Sequence, residues 1–247
     1  MRKKRRLKYK NIFLFIIGII CFVILIYTII NMIYWHMSNK KNDEIKDNIN
    51  KSVKIKEKDS NEIDWDKLTK QNEDAIAYIK INGTKIDYVV VKGNDNKYYL
   101  NHNFNKEYSK AGWIFVNYKN KLDGNDKNIT LFGHARLDGS MFGTLKDTLK
   151  SKWQNDNKNH TIIFMTKDEK SEYQVFSTYK IKEELYYIKS DFSSDDEFLE
   201  FINTIKSRSN YDYNIEVNSS DTVLTLSSCD IVDDYRIVLH AKKIIND

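Results

Sequence analysis

The chain has 247 residues, with 40 Lys and Arg against 35 Asp and Glu, two Cys, eight Gly and no Pro. Apolar residues make up 41% and aromatics 13%, too rich for a disordered chain, and the Gly and Pro counts exclude collagen-like and Pro-rich architectures. The net charge of +5 is unevenly placed: seven positive charges fall within residues 2–10 and leave −2 for everything after them, unlike the spread basic surface of a nucleic-acid-binding fold.

The basic tip is followed by 19 uncharged residues from Ile12 to Ile30, which as a helix would span about 28 Å, close to the hydrocarbon thickness of a bilayer. Tyr34 and Trp35 extend the stretch with residues that favour the membrane interface. Positive charge on the N-terminal side predicts a single-pass anchor with a cytoplasmic N-terminus and the remaining chain outside. A cleaved signal peptide fits less well, because signal h-regions are shorter and no small-x-small site follows. On this topology Cys21 lies within the span and Cys229 outside it, so the two cannot pair. A lone exported thiol is buried, dimer-forming or reactive.

Residues 38–74 are rich in Lys, Asn, Asp and Glu, but Ile45, Ile49 and Val53 recur at four-residue spacing, and Trp65 and Leu68 follow. This pattern predicts two helices rather than a bare solvated stalk. From Ala75 onward eight short β-type runs appear: AIAYIKI, DYVVVKG, AGWIFVNY, NITLFGH, TIIFMTK, EYQVFSTYKI, TVLTLSS and YRIVLHAKKI. They predict a sandwich or barrel of about 170 residues. Two helices are expected to interrupt it, one over MFGTLKDTL and one over residues 195–208. The second carries Ser194 and Glu197 as a capping box and Phe198, Phe201, Ile202 and Ile205 as its apolar stripe.

Strand parity assigns the candidate chemistry. With Leu224 and Leu226 facing the core, Thr225, Ser227 and Cys229 share the opposite face. Cys229 is then either a small buried hydrophobe or, given the acidic DIVDD after it, a thiol at a strand end open to solvent. His134 ends NITLFGH with the same parity, after a Gly that permits close backbone approach. Arg236 opens YRIVLHAKKI and points with Val238 and His240 away from the apolar face. His36, His102, His160 and His240 carry weaker signals, and no pair of histidines is spaced as metal ligands, so neither a metal nor a cofactor is expected. A thiol, an imidazole and a guanidinium on one barrel face could serve as nucleophile, acid/base and carbonyl clamp, and nearby cations would enlarge the thiolate fraction.

These segments resemble the class B sortases. TLFGHARLDGSMFGTL resembles the family's histidine segment, TLSSC its TLxTC cysteine motif and YRIVLHAKKI its arginine strand; GTKIDYVVVKGNDNKYYLNHNF resembles the stretch leading into its barrel. The resemblance covers roughly Ile63 to the C-terminus. It implies a mainly β fold: an eight-stranded closed barrel with N-terminal helices and a helix inserted between strands six and seven. The implied organisation is a cytoplasmic basic tip (1–10), a transmembrane signal anchor (11–35), a helical linker with N-terminal helices (36–74) and a catalytic barrel (75–247). By motif position Cys229 is the nucleophile, His134 the acid/base, Arg236 the residue binding the scissile carbonyl and Ser227 a substrate contact. The implied activity is cleavage of a sorting motif in secreted proteins and transfer of the acyl fragment, through a thioester, to an amino group of peptidoglycan or its precursor. Three departures stand out: Ala135 where the family often has Asn, Ser228 where it has Thr, and Val89 where it commonly has Pro. The alternatives are another cell-wall cysteine peptidase, whose motif order does not fit, and a membrane-anchored scaffold in which Cys229 is buried.

Overall fold

The computed structural model describes residues 2–51, 53–55, 61–182, 184–229 and 234–244. From Arg2 to Asn50 there is no Pro and a single Gly, Gly18, and one such residue is tolerated. Helix α1 (Arg2–Asn50) therefore runs without a break through the apolar stretch and beyond it, and it is long and apolar enough to cross a membrane. Packing divides the chain into two compact units, Met1–Asp43 and Glu44–Asp247.

In the second unit the last turns of α1 bury Ile45 and Ile49 in the core. Between them Lys46 donates from Nζ to the Lys85 carbonyl at 3.2 Å and lies 4.0 Å from the centre of the Tyr88 ring, a cation–π contact. The helical stripe expected to continue through Val53 stops short of it. Val53 instead opens β1 (Val53–Ile55), paired antiparallel with β2 (Asn61–Ile63), where a β-branched residue is well suited. Helix α2 (Trp65–Gln71) follows, with the Asp64 carboxylate accepting the Lys67 amide at 2.9 Å as its N-cap.

The eight predicted runs form β3 (Ala75–Ile81), β4 (Asp87–Val91), β5 (Phe115–Val116), β6 (Asn128–His134), β7 (Thr161–Thr166), β8 (Lys170–Lys182), β9 (Val223–Cys229) and β10 (Tyr235–Ile244). They close into a barrel in the order β10-β8-β7-β3-β4-β5-β6-β9. An eight-stranded barrel is just wide enough for side chains to fill, and Ile129, Leu131, Leu224, Leu226, Ile237, Leu239 and Ala241 are all in that core, as parity predicts.

The helix expected over MFGTLKDTL is not an α-helix. It is a tight turn followed by a 3-10 segment (Leu145–Leu149) and the single turn α3 (Ser151–Gln154). Met141 takes the left-handed region, φ 52°, which no α-helix accommodates. A Cβ on Gly143 would lie 2.2 Å from the Arg136 carbonyl oxygen, so only glycine fits there. The second inserted helix, α4 (Asp195–Ser207), lies between β8 and β9, the sixth and seventh strands of the barrel. Ser194 caps it as expected, but the Glu197 carboxylate binds the Ser193 amide and hydroxyl. The α4 stripe packs with Tyr179, Tyr187, Val223 and Val238 into a second apolar cluster on the outer face of the sheet.

Candidate active site

Three strands, β6, β9 and β10, carry the candidate residues. Strands β6 and β9 run parallel, and their register places His134 directly beside Cys229, with Phe132 beside Ser227 and Thr130 beside Thr225. Residues so paired share one face of the sheet at about 4.8 Å spacing. Strand β10 runs antiparallel to β9 with Val238 opposite Ser227; the same register, continued by two residues, sets Arg236 level with Cys229. Ser228 secures this arrangement, its Oγ accepting the Ile237 amide at 3.0 Å while fully buried. A hydroxyl is what that bond requires, so Ser in place of Thr preserves it. The acidic turn read after Cys229 lies, except for Asp234, outside the described residues.

His134 is half-buried, and its Nε2 lies 2.7 Å from the Leu100 carbonyl oxygen. In the neutral ring that nitrogen donates, which leaves Nδ1 as the acceptor. Nδ1 is buried and has no hydrogen-bond partner among the described residues. Leu100, at the end of a 3-10 turn (Tyr98–Leu100), thus orients the ring as a third group orients the base of a hydrolytic triad. Behind the histidine, the Phe142 amide donates to the His134 carbonyl at 3.0 Å, and the Phe142 ring fills the space a Gly133 side chain would need, 3.0 Å from its ideal Cβ.

Burial holds the His134 pKa below the ordinary histidine value, and the Arg136 and Arg236 cations push it in the same direction, against the opposing hydrogen bond to Leu100. Arg236 is thus one of the cations that act on His134. Arg136 is buried and pairs with Asp138 at 3.4 Å. A standing imidazolium, one of the cations expected to favour the thiolate, is therefore disfavoured here. The fixed positive charge of the site belongs to the two arginines.

Ser227 is 1% exposed, and its Oγ is 3.0 Å from the Tyr187 hydroxyl. It lies on the face opposite the core residues Leu224 and Leu226, as parity predicts, and is covered by the segment between β8 and α4. His240, on the same face, is fully buried between Thr225 and Tyr179. His160 is buried against Trp153 and Tyr213, and His102 stacks on Tyr98. Among the described residues no group of three or more His, Cys, Asp or Glu could hold a metal ion. Leu100 was missed in the sequence because the group that acts is a main-chain carbonyl, which leaves no residue-type signature.

A cleft of about 540 Å³ lies next to Tyr187, the residue that covers Ser227. Asn96, Asn117 and Tyr118 form one side, and Leu185, Ile188 and Lys189 form the other. The first side leads into the 3-10 turn that ends at Leu100.

Comparison with known proteins agrees with this geometry. The sortase domain family matches residues 79–244. Sortase B of Listeria monocytogenes is 34% identical over 183 residues, covering 71% of this chain and 72% of its own. Sortase B of Staphylococcus aureus is 36% identical over 183 residues, covering 72% and 73%. The structure of a Staphylococcus aureus sortase B-substrate complex superposes with a TM-score of 0.77 at 31% identity, over 85% of this chain and 100% of that one. Bacillus anthracis sortase B in complex with AAEK1 gives the same TM-score, identity and coverage.

Proposed function

The chain belongs to the class B sortases, cysteine transpeptidases that act on sorting motifs, and we propose that Cys229, His134 and Arg236 carry that chemistry in it. The observation supporting this most is the parallel pairing of His134 with Cys229, with Arg236 level on the adjacent strand. The Cys229 sulfur attacks the scissile carbonyl while its proton passes to Nδ1 of His134, the nitrogen that Leu100 leaves free to accept. Arg236 holds the carbonyl oxygen as it gains charge. Collapse of the tetrahedral intermediate breaks the C–N bond, His134 returns the proton to the leaving amine, and the acyl fragment remains as a thioester on Cys229. An incoming amine then attacks the thioester, giving its proton to His134; the C–S bond breaks and the Cys229 sulfur takes that proton back, restoring the thiol.

The cleft beside Leu185 and Asn96 is the seat of the sorting peptide, with Ser227 beneath its reactive end. The basic residues ahead of the apolar run keep the N-terminus in the cytoplasm and the barrel outside, where secreted proteins are the donors and an amino group of peptidoglycan or its precursor is the acceptor. The test is incubation of the detergent-solubilised full chain with a library of pentapeptide motifs, followed by mass spectrometry. The expected result is cleavage of one motif class and an acyl adduct on Cys229; cleavage with no adduct on that residue would refute the assignment.

The depressed pKa of His134 predicts the pH response. Lowering the pKa favours the neutral ring, so the base stays competent as pH falls through about 6.5, the ordinary histidine value, and is lost only below it. The acid limb of kcat/KM for the selected peptide is therefore expected below about 6.5. Arg136→Gln removes one of the cations responsible and should move the limb upward. A limb at or above 6.5 in the unmodified protein would show that His134 is not the group titrating.

A further inference from the structure

On the outer face of the sheet, behind Ser227, a chain of buried polar groups has every hydrogen bond assigned a direction. Asn128 donates from Nδ2 to the carbonyls of Tyr187 at 3.0 Å and Lys189 at 2.8 Å, so its Oδ1 faces the other way and accepts from Thr225 Oγ1 at 2.6 Å. With its proton committed, Thr225 Oγ1 must accept from His240 Nδ1 at 2.8 Å. The Nε2 of His240 then carries the lone pair and accepts from the Tyr179 hydroxyl at 2.9 Å, which in turn accepts from Tyr186 at 2.9 Å.

The groups at the centre of the chain, Asn128, Thr225 and His240, are each fully buried. They come from β6, β9 and β10, the three strands that carry His134, Cys229 and Arg236. Both ends of the chain terminate on one short strip: Tyr186 at one end, the Tyr187 and Lys189 carbonyls at the other. That strip, a 3-10 turn (Tyr186–Ile188) and the residues flanking it, contributes Leu185, Ile188 and Lys189 to the cleft.

We infer that Asn128, Thr225 and His240 are positioning residues that bind the 186–189 strip to the catalytic strands and so set the width of the peptide cleft. None of the three lines the cleft. They act through the strip and through Tyr187, whose hydroxyl meets Ser227. A buried polar chain suits this task because its bonds are directional: an apolar contact would let the strip slide, whereas two carbonyls on one amide fix both its distance and its register. Burial holds the His240 pKa far below the ordinary histidine value, at about 3, so no second charged state competes with this arrangement. The groups around the ring are Thr225, Tyr179, Phe176 and Phe201, none of them charged near neutrality.

The inference rests on the sortase reading of the site, and the test separates the two. In the full chain in detergent, Thr225→Val keeps the shape of the side chain but leaves Asn128 Oδ1 and His240 Nδ1 without partners, whereas Thr225→Ser retains the hydroxyl. KM is compared rather than specific activity, because it does not depend on how much of the protein is folded. Thr225→Val is expected to raise KM for the selected peptide about tenfold, the scale of one broken buried hydrogen-bond chain, while the rate of Cys229 alkylation stays within about twofold of the unmodified protein. Thr225→Ser should restore the KM. If Thr225→Val leaves KM unchanged, or if KM and alkylation change together, the chain does not position the cleft and the inference is overturned. If the unmodified protein cleaves no peptide, the activity assignment fails instead. The chain of bonds then still stands or falls on the imidazole nitrogen shifts of His240, which for the stated tautomer show a protonated Nδ1 and a bare Nε2.

Discussion

Replacing Cys229 with alanine is expected to abolish acyl capture and lower peptide cleavage by at least about 10⁴-fold, the scale on which a covalent nucleophile's removal is felt. No other cysteine can take over, since Cys21 is in the apolar run of α1; Cys21→Ala should leave activity unchanged. The position of Cys229 as the last residue of β9, with the parity of Thr225 and Ser227 rather than of the core Leu224 and Leu226, also predicts a small stability cost. The thermal midpoint of Cys229→Ala should fall by no more than the equivalent of about 1 kcal/mol, whereas truncating a core side chain costs more. Retained turnover would refute the mechanism. A midpoint lowered by many degrees would place the thiol in the core and return the residue to a structural role.

The parity argument was legible in the sequence because it depends on the two-residue period alone, and Leu131, Leu226 and Leu239 lie in the core where that period puts them. What is not legible is which strands meet. His134 and Cys229 are 95 residues apart, and the local sequence of NITLFGH does not reveal that it will pair in parallel with TVLTLSSC; the motif resemblance supplied that link, and the register shows it. Helix boundaries followed a similar rule. The Phe198–Ile205 stripe was long enough to define α4, but three residues at four-residue spacing could not show that the helix from the apolar run would continue to Asn50 and stop before Val53. The MFG turn failed for a different reason, since its conformation is imposed by the close approach of Gly143 to the Arg136 carbonyl and not by its own composition. The polar chain from Asn128 to Tyr186 was invisible because it joins residues from five separate segments. His240 carries only a weak signal in the sequence, and its hydrogen bonds give it a structural place, but sequence could not say to what it was joined.

Arg236→Lys separates geometry from charge at the carbonyl clamp, and turnover is expected to fall by about 10² to 10³, the usual cost of losing one preorganised oxyanion donor. Arg236→Ala should fall further. The reason lies in the strand: Arg236 pairs with Ile181 on β8 and is followed by Ile237, whose amide is anchored to Ser228 at 3.0 Å. Its guanidinium therefore starts from a fixed backbone and presents a planar fork of donors, whereas an ammonium offers a mobile point charge on a flexible stem. Because the residue is only half-buried, stability should change by less than about 1 kcal/mol, so the loss appears in kcat rather than in the folded fraction. His134 supplies a second readout. Arg236 is one of the cations that depress its pKa, so Arg236→Ala should also move the acid limb of kcat/KM upward, while Arg236→Lys, which keeps the charge, should leave it close to its original position. If Arg236→Lys turned over normally, charge alone would be what the site needs. If instead both variants raised KM and left kcat unchanged, Arg236 would be a binding residue for the sorting peptide, and the developing oxyanion would have to be held by other donors.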